Sequence, residues 1–232
     1  MSHTFHIPVL GLAYSVDTPL KVARYGITSV VSIVDDILIE RMRQFHTEKI
    51  DEQFIPINKK EIDFRSKRIT AYLNMIKKIV NDQFNSLKQE AFETGTEINR
   101  YFDLLPDTSA LKIKYVHMLG VNDPDTRKNL QNEIRAEMQK GDIQVNIMAK
   151  VDRMNLETQG EQISDALSAL KGFAESELDS SVVLSAGMNP RLYSYLENFS
   201  DFFPDQNEQI KKQLILKVSD FHSAAVQGKY LA

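Results

Sequence analysis

Residues 7–34, IPVLGLAYSVDTPLKVARYGITSVVSIV, decide the fold class. Residues 7–13 (IPVLGLA) form a short apolar run bounded by polar residues, as expected of a strand buried on both faces in a parallel sheet. Asp17-Thr18-Pro19 comes next. Pro19 suits the first helical position, where its missing N–H costs nothing, with Asp17 or Thr18 as the cap. The helix LKVARY stops at Gly26, a left-handed terminator. Residues 29–34 (SVVSIV) then give a second buried strand. Strand, helix and strand within about 30 residues make a βαβ unit with a right-handed crossover.

The same grammar returns in the last third of the chain. Residues 143–151 (IQVNIMAKV) read as a third strand, entered from Gly141. Ile163, Leu167, Leu170 and Ala174 mark one face of a helix. Residues 182–186 (VVLSA) are a fourth strand running into Gly187-Met188-Asn189-Pro190, another capped helix start. Residues 214–218 (LILKV) are a fifth, and a last helix begins near Phe221.

Between the second and third strands the period is helical. Ile69, Leu73, Ile76, Val80, Phe84, Leu87 and Ala91 recur at three- and four-residue spacing. Asp123-Pro124 opens another helix, closing at Lys140-Gly141. Residues 112–118 read ambiguously between strand and helix. The organisation expected is a first βαβ over 1–36, a crossover helix plus helical insertion over 37–140, and strands three to five with their helices over 141–232.

Five parallel strands with helical crossovers allow an open doubly wound sheet or a TIM-barrel-like (β/α)8 fold that is incomplete. A doubly wound nucleotide fold shows a glycine-rich first turn, and Tyr14-Ser15-Val16-Asp17 has no glycine. A barrel needs three more strands. The expectation is an α/β fold of TIM-barrel-like βα units with a large helical insertion. It is either the N-terminal part of a longer protein or a chain whose barrel another polypeptide completes.

Composition narrows the chemistry. The chain has 232 residues, 42% of them hydrophobic and 26% charged, enough to bury a core. Its net charge of −4 offers no global attraction to nucleic acid or an anionic membrane. With no cysteine, disulfides, a thiol nucleophile and cysteine metal sites are excluded. The five histidines show no metal-ligand spacing, so no metal is expected. No apolar stretch approaches a membrane span, and no secretory signal opens the chain. A cytoplasmic protein acting on a small molecule is expected, with neither nucleic acid nor membrane as partner.

Ligands of parallel α/β folds bind at the carboxyl ends of the strands. Tyr14, Ser15 and Asp17 stand there after strand one, and Asp35 and Asp36 after strand two. Lys150, Asp152 and Arg153 end strand three. Asn189 and Arg191 follow strand four, and Lys217, Ser219, Asp220 and His222 follow strand five. Asp17, Asp35, Asp36 and Asn189 read equally as helix caps, Tyr14 as packing, and Arg153 and Arg191 as surface ion-pair partners or anion contacts. Lys150 and Lys217 lie among apolar strand residues, where an unpaired ammonium is costly. Each reads as a structural pair with Asp152 or Asp220, as a Schiff-base lysine, or as a cation holding an anion.

The opening residues, with SAGMNPRLYSYL (185–196) and ILKVSDFHSAAVQGKYLA (215–232), resemble flavin-dependent barrels of the nitronate monooxygenase and glutamate synthase type. The likeness lies in these three pieces of the chain. It implies an FMN-dependent oxidoreductase or its N-terminal portion, with Tyr14, Ser15, Asp35, Asn189 and Arg191 toward the flavin and Lys150, Lys217, Asp152 and Asp220 toward catalysis. The resemblance puts the flavin phosphate after strands seven and eight, beyond the strands found here. Two alternatives stand beside it: a Schiff-base lyase or aldolase using a strand-end lysine, and a non-catalytic subunit or homo-oligomer that completes a barrel with a partner.

Overall fold

The structure is a computed structural model, and it describes residues 16–149, 163–184 and 189–229. The expected first strand lies outside them, as do Tyr14, Ser15, Lys150, Asp152 and Arg153. From Val16 onward the chain obeys its turn chemistry. Helix α1 (Thr18–Val22) carries Pro19 in its first turn, tightens into a 3-10 turn (Ala23–Tyr25) and stops at Gly26, φ +79°. Strand β1 (Ser29–Ile33) then pairs in parallel with β2 (Ile143–Ile147). Gly141 makes that entry possible: a Cβ there would lie 2.1 Å from the carbonyl of Ile27.

Five helices separate β1 from β2: α2 (Asp36–Lys49), α3 (Phe64–Gln89), α4 (Glu97–Leu104), α5 (Ala110–Leu119) and α6 (Pro124–Glu137). Residues 112–118 fall inside α5 and are helical. Their strand-like look comes from apolar residues on both sides of the helix. Tyr115 and Met118 face inward, whereas Ile113, Val116 and Leu119 are exposed. Helix α3, about 39 Å long, ties the two parts of the molecule together. Ile69, Tyr72, Leu73 and Ile76 in its first half pack on the sheet. Phe84 and Leu87 near its end pack with α4, α5 and α6 in a second apolar cluster. Phe102 stacks on Tyr115 at the centre of that cluster, with centroids 4.1 Å apart. Arg135 closes it by donating to the carbonyls of Lys88 (2.6 Å) and Glu90 (2.8 Å) at the end of α3.

Helix α7 (Asp165–Ala174) leads to β3 (Ser181–Leu184), α8 (Pro190–Leu196), a 3-10 turn (Ser200–Phe202), β4 (Gln213–Leu216) and α9 (Phe221–Gly228). The buried face of α7 is Ala166, Ala169, Leu170 and Phe173, rotated from the expected stripe. Leu167 and Ala174 are only partly buried, and Ile163 precedes the helix. The cause is α3, which packs so closely on α7 that small residues must face it. A Cβ on Gly172 would meet Ile69 at 2.6 Å, and Thr70 donates to the Gly172 carbonyl at 3.0 Å.

The four strands are parallel and adjacent in chain order, β1-β2-β3-β4. Winding therefore runs in one direction across the described sheet, whereas a doubly wound sheet reverses it. Right-handed crossovers wound this way put the connecting helices that pack on the sheet on one face. The packing agrees. The rows Val31–Val145–Val182–Leu214 and Ile33–Ile147–Leu184–Leu216 lie in one core with residues of α1, α2, α3, α7 and α8. The opposite face carries the row Ser32–Asn146–Val183–Ile215. Among the described residues, Val30, Val183 and Ile215 join neither apolar cluster. Exposure along that row rises from 3% at Ser32 to 37% at Ile215.

No helix among the described residues is long and apolar enough to cross a membrane.

Candidate functional site

The carboxyl ends of the strands are where the sheet gives way to helix N-termini, and three of the expected site residues are engaged there as caps. Asp35 accepts a hydrogen bond from the Leu38 amide at 2.7 Å, opening α2. Asn189 does the same for Leu192 at 3.2 Å, opening α8, and Asp220 for Ser223 at 2.7 Å, opening α9. Each satisfies an amide that the first turn leaves without a helical partner. Arg191 stands exposed in the first turn of α8, beside an open groove lined by Leu167, Ser194 and Tyr195.

Asp17 makes no cap bond. Its carboxylate lies 3.1 Å from Lys21 Nζ and 3.6 Å from His46 Nε2. Burial raises the Asp17 carboxyl, but the His46 and Lys21 contacts outweigh it and hold it below the usual carboxylate range. Beside it, burial pushes the Tyr72 phenol far up, and the charge of Asp17 adds to this. Tyr72 stays a neutral donor to the Val16 carbonyl at 2.8 Å.

Lys217 is exposed rather than buried in a strand. The reason is that β4 is the edge of the described sheet, with its side chains alternating between half-buried and exposed. Lys217 and Asp220 form no ion pair among the described residues. The buried lysine of this region is Lys212, fully enclosed, whose ammonium donates to the carbonyls of Phe173 (2.9 Å), Ala174 (2.6 Å) and Ser176 (2.7 Å). Burial lowers its pKa to about 8, with Asp201 pulling the other way. All three donors serve the end of α7, a helix-capping task.

The structure brings together a different group at the ends of β1 and β2. Arg65 and Arg68 lie in the first turns of α3, 3% and 7% exposed. Arg68 pairs with Asp36 at 2.7 Å, in the first turn of α2, and donates to the Ile57 carbonyl at 2.7 Å. Arg65 pairs with Asp165 at 2.6 Å, in the first turn of α7. So α3 holds the N-termini of both flanking helices, and the two aspartates sit where the helix dipoles favour negative charge. Between them lies a narrow cavity, with room for about one water, lined by Asp35, Asp36, Arg65, Ala149, Asp165 and Ser168. Ser168 is fully buried, and its hydroxyl has no hydrogen-bond partner.

Sequence reasoning places Asp35 and Asp36 at this end of the sheet but misses Arg65, Arg68, Asp165 and Ser168. The signal that could find them is a pair of arginines three residues apart at the head of an otherwise apolar helical stripe. Lys212 carries a weaker one, as the second of two lysines just before a strand.

Among the described residues no cluster of three or more His, Asp or Glu side chains is arranged to hold a metal ion. Comparison with protein-family models, curated proteins and solved structures finds no match to this chain.

Proposed function

We infer that this chain supplies part of a (β/α) barrel that binds a small-molecule ligand at the carboxyl ends of its strands, FMN being the cofactor and oxidoreduction the chemistry. The observation that carries the barrel is the one-directional winding, with α1, α2, α3, α7 and α8 packed on one face and a half-polar face opposite that, among the described residues, joins neither apolar cluster. A barrel turns such a face inward. Ser32, Gln144 and Asn146 on that face offer both donors and acceptors, which the ring edge of a flavin requires. The flavin itself rests on the sequence resemblance. Arg191, at the head of α8, is one exposed strand-end cation in view for the flavin ring. When bound, the flavin would supply hydride acceptance; the chain's own residues would position ring and substrate.

The test is gel filtration of the purified full chain with FMN, followed at the flavin absorption band. The reading expects flavin to co-elute with protein in a fixed ratio. Flavin eluting only at the small-molecule volume ends the FMN assignment.

A second reading, a subunit that completes its barrel with a partner chain, is favoured by the β4 edge. Ile215, Val218 and the 88%-exposed Phe221 leave that edge apolar, a surface sheet proteins normally cover. Light scattering decides it: association supports this reading, and a stable monomer that binds no apolar dye counts against it.

A further inference from the structure

We propose that the cavity at the ends of β1 and β2 is an anion subsite, in which a ligand's carboxylate or phosphate oxygen pairs with Arg65 in place of Asp165. The proposal rests on the reading that ligands approach the carboxyl ends of the strands, but not on the ligand being a flavin.

Three observations meet here. The first is an asymmetric ion pair. Arg65 is 3% exposed, whereas the side chain of Asp165 is 37% exposed. The cation is fixed inside the protein, and Asp165, one of its partners, can turn into water. An incoming anion therefore replaces one carboxylate by another group of like charge, and the guanidinium is never left bare, which is the costly event for a buried ion.

The second is Ser168. Its hydroxyl is buried, lines the same cavity and has no partner. A buried hydroxyl without a partner costs free energy. An anion oxygen at Arg65 is an acceptor within the same small space.

The third is the backbone. Helices α2 and α7, 14 and 10 residues long, both begin beside the cavity. Their first-turn amides add positive potential where the anion would sit. The other lining charges do not defeat this. Asp36 is neutralised by Arg68 at 2.7 Å, and Asp35 keeps its charge at an exposed position, where solvent screens it. The resident Asp165 remains the competitor, so the native chain should bind weakly and the competitor's removal should tighten binding.

The experiment is a thermal-shift titration with inorganic phosphate in one arm and acetate in the other, on the full chain and three variants. Asp165→Asn, which keeps the shape and removes the charge, should bind about tenfold tighter, as expected for deleting one partly exposed competing charge. Ser168→Ala should bind several-fold weaker and remain folded, since it deletes a hydroxyl that bonds to nothing. Arg65→Lys should lose saturable binding. The better of the two ions assigns the ligand group as phosphate or carboxylate. No saturable shift in Asp165→Asn, or shifts unchanged by both Arg65→Lys and Ser168→Ala, overturns the proposal. The test contains no flavin. A positive result beside failed FMN co-elution removes the flavin and keeps the subsite; the converse removes the subsite alone.

Discussion

Lys212 Nζ lies 2.6 Å from the carbonyl oxygen of Ala174, joining the entry of the last described strand to the last turn of α7. The same ammonium also reaches Phe173 and Ser176, so one fully buried side chain replaces the water that a helix C-terminus normally uses. Replacing it by methionine leaves three carbonyls without a donor. Lys212→Met should cost about 3 kcal/mol, read as a lowered midpoint in urea unfolding.

Lys212 also sets a pH dependence. Its pKa is about 8 in the folded chain against 10.5 for an ordinary lysine. Between these values the unfolded chain binds more protons, so the contribution of this group to stability rises with pH from about 8 to 10.5. Urea midpoints at intervals across that range should show the rise in the native chain, and Lys212→Met should lack it. Equal slopes in both would contradict the assignment.

Asp17 works in the acid range, and its contribution too rises with pH. Its carboxyl is held low in the folded chain by His46 and Lys21 against the effect of burial. Its stabilisation is complete above the ordinary aspartate range and is lost as pH falls through the lowered value. Asp17→Asn should flatten the acid limb of the stability profile measured by thermal melting from about pH 6 down to about pH 2.

Gly141 admits no side chain. A methyl group there would sit 2.1 Å from the backbone of Ile27, which cannot turn aside as a long side chain can. Gly141→Ala should therefore cost at least about 3 kcal/mol, with the loss seen as a lower melting temperature. The same change at Gly228, where the space is open, should be nearly silent.

Much of the fold is legible in the sequence because it is written in local chemistry. Asp35, Asp123 and Asn189 announce helix starts, Gly26 a helix stop, and the runs around Val31, Val145 and Val182 announce buried strands. What local chemistry cannot show is contact at long range. Nothing near residue 65 says that Asp165 will meet Arg65, one hundred positions away. Nothing near Gly172 says that Ile69 will press on it and rotate the buried face of α7. Lys217 misleads for a related reason. Its apolar neighbours suggest a central strand, but whether a strand is central depends on what lies beside it, and β4 is the edge of the described sheet. Lys212 escapes notice because burying an ammonium is favourable only with three carbonyls around it, and those come from α7 and its end.

If ligand meets this sheet at its carboxyl ends and half-polar face, the strand ends must change when it binds. Hydrogen–deuterium exchange on the full chain, with and without saturating FMN, reads that change. Added protection is predicted in residues 34–36 and 217–220, and none in residues 97–137, the distant helices. Unchanged exchange at the strand ends, or protection confined to those helices, would contradict a ligand site there.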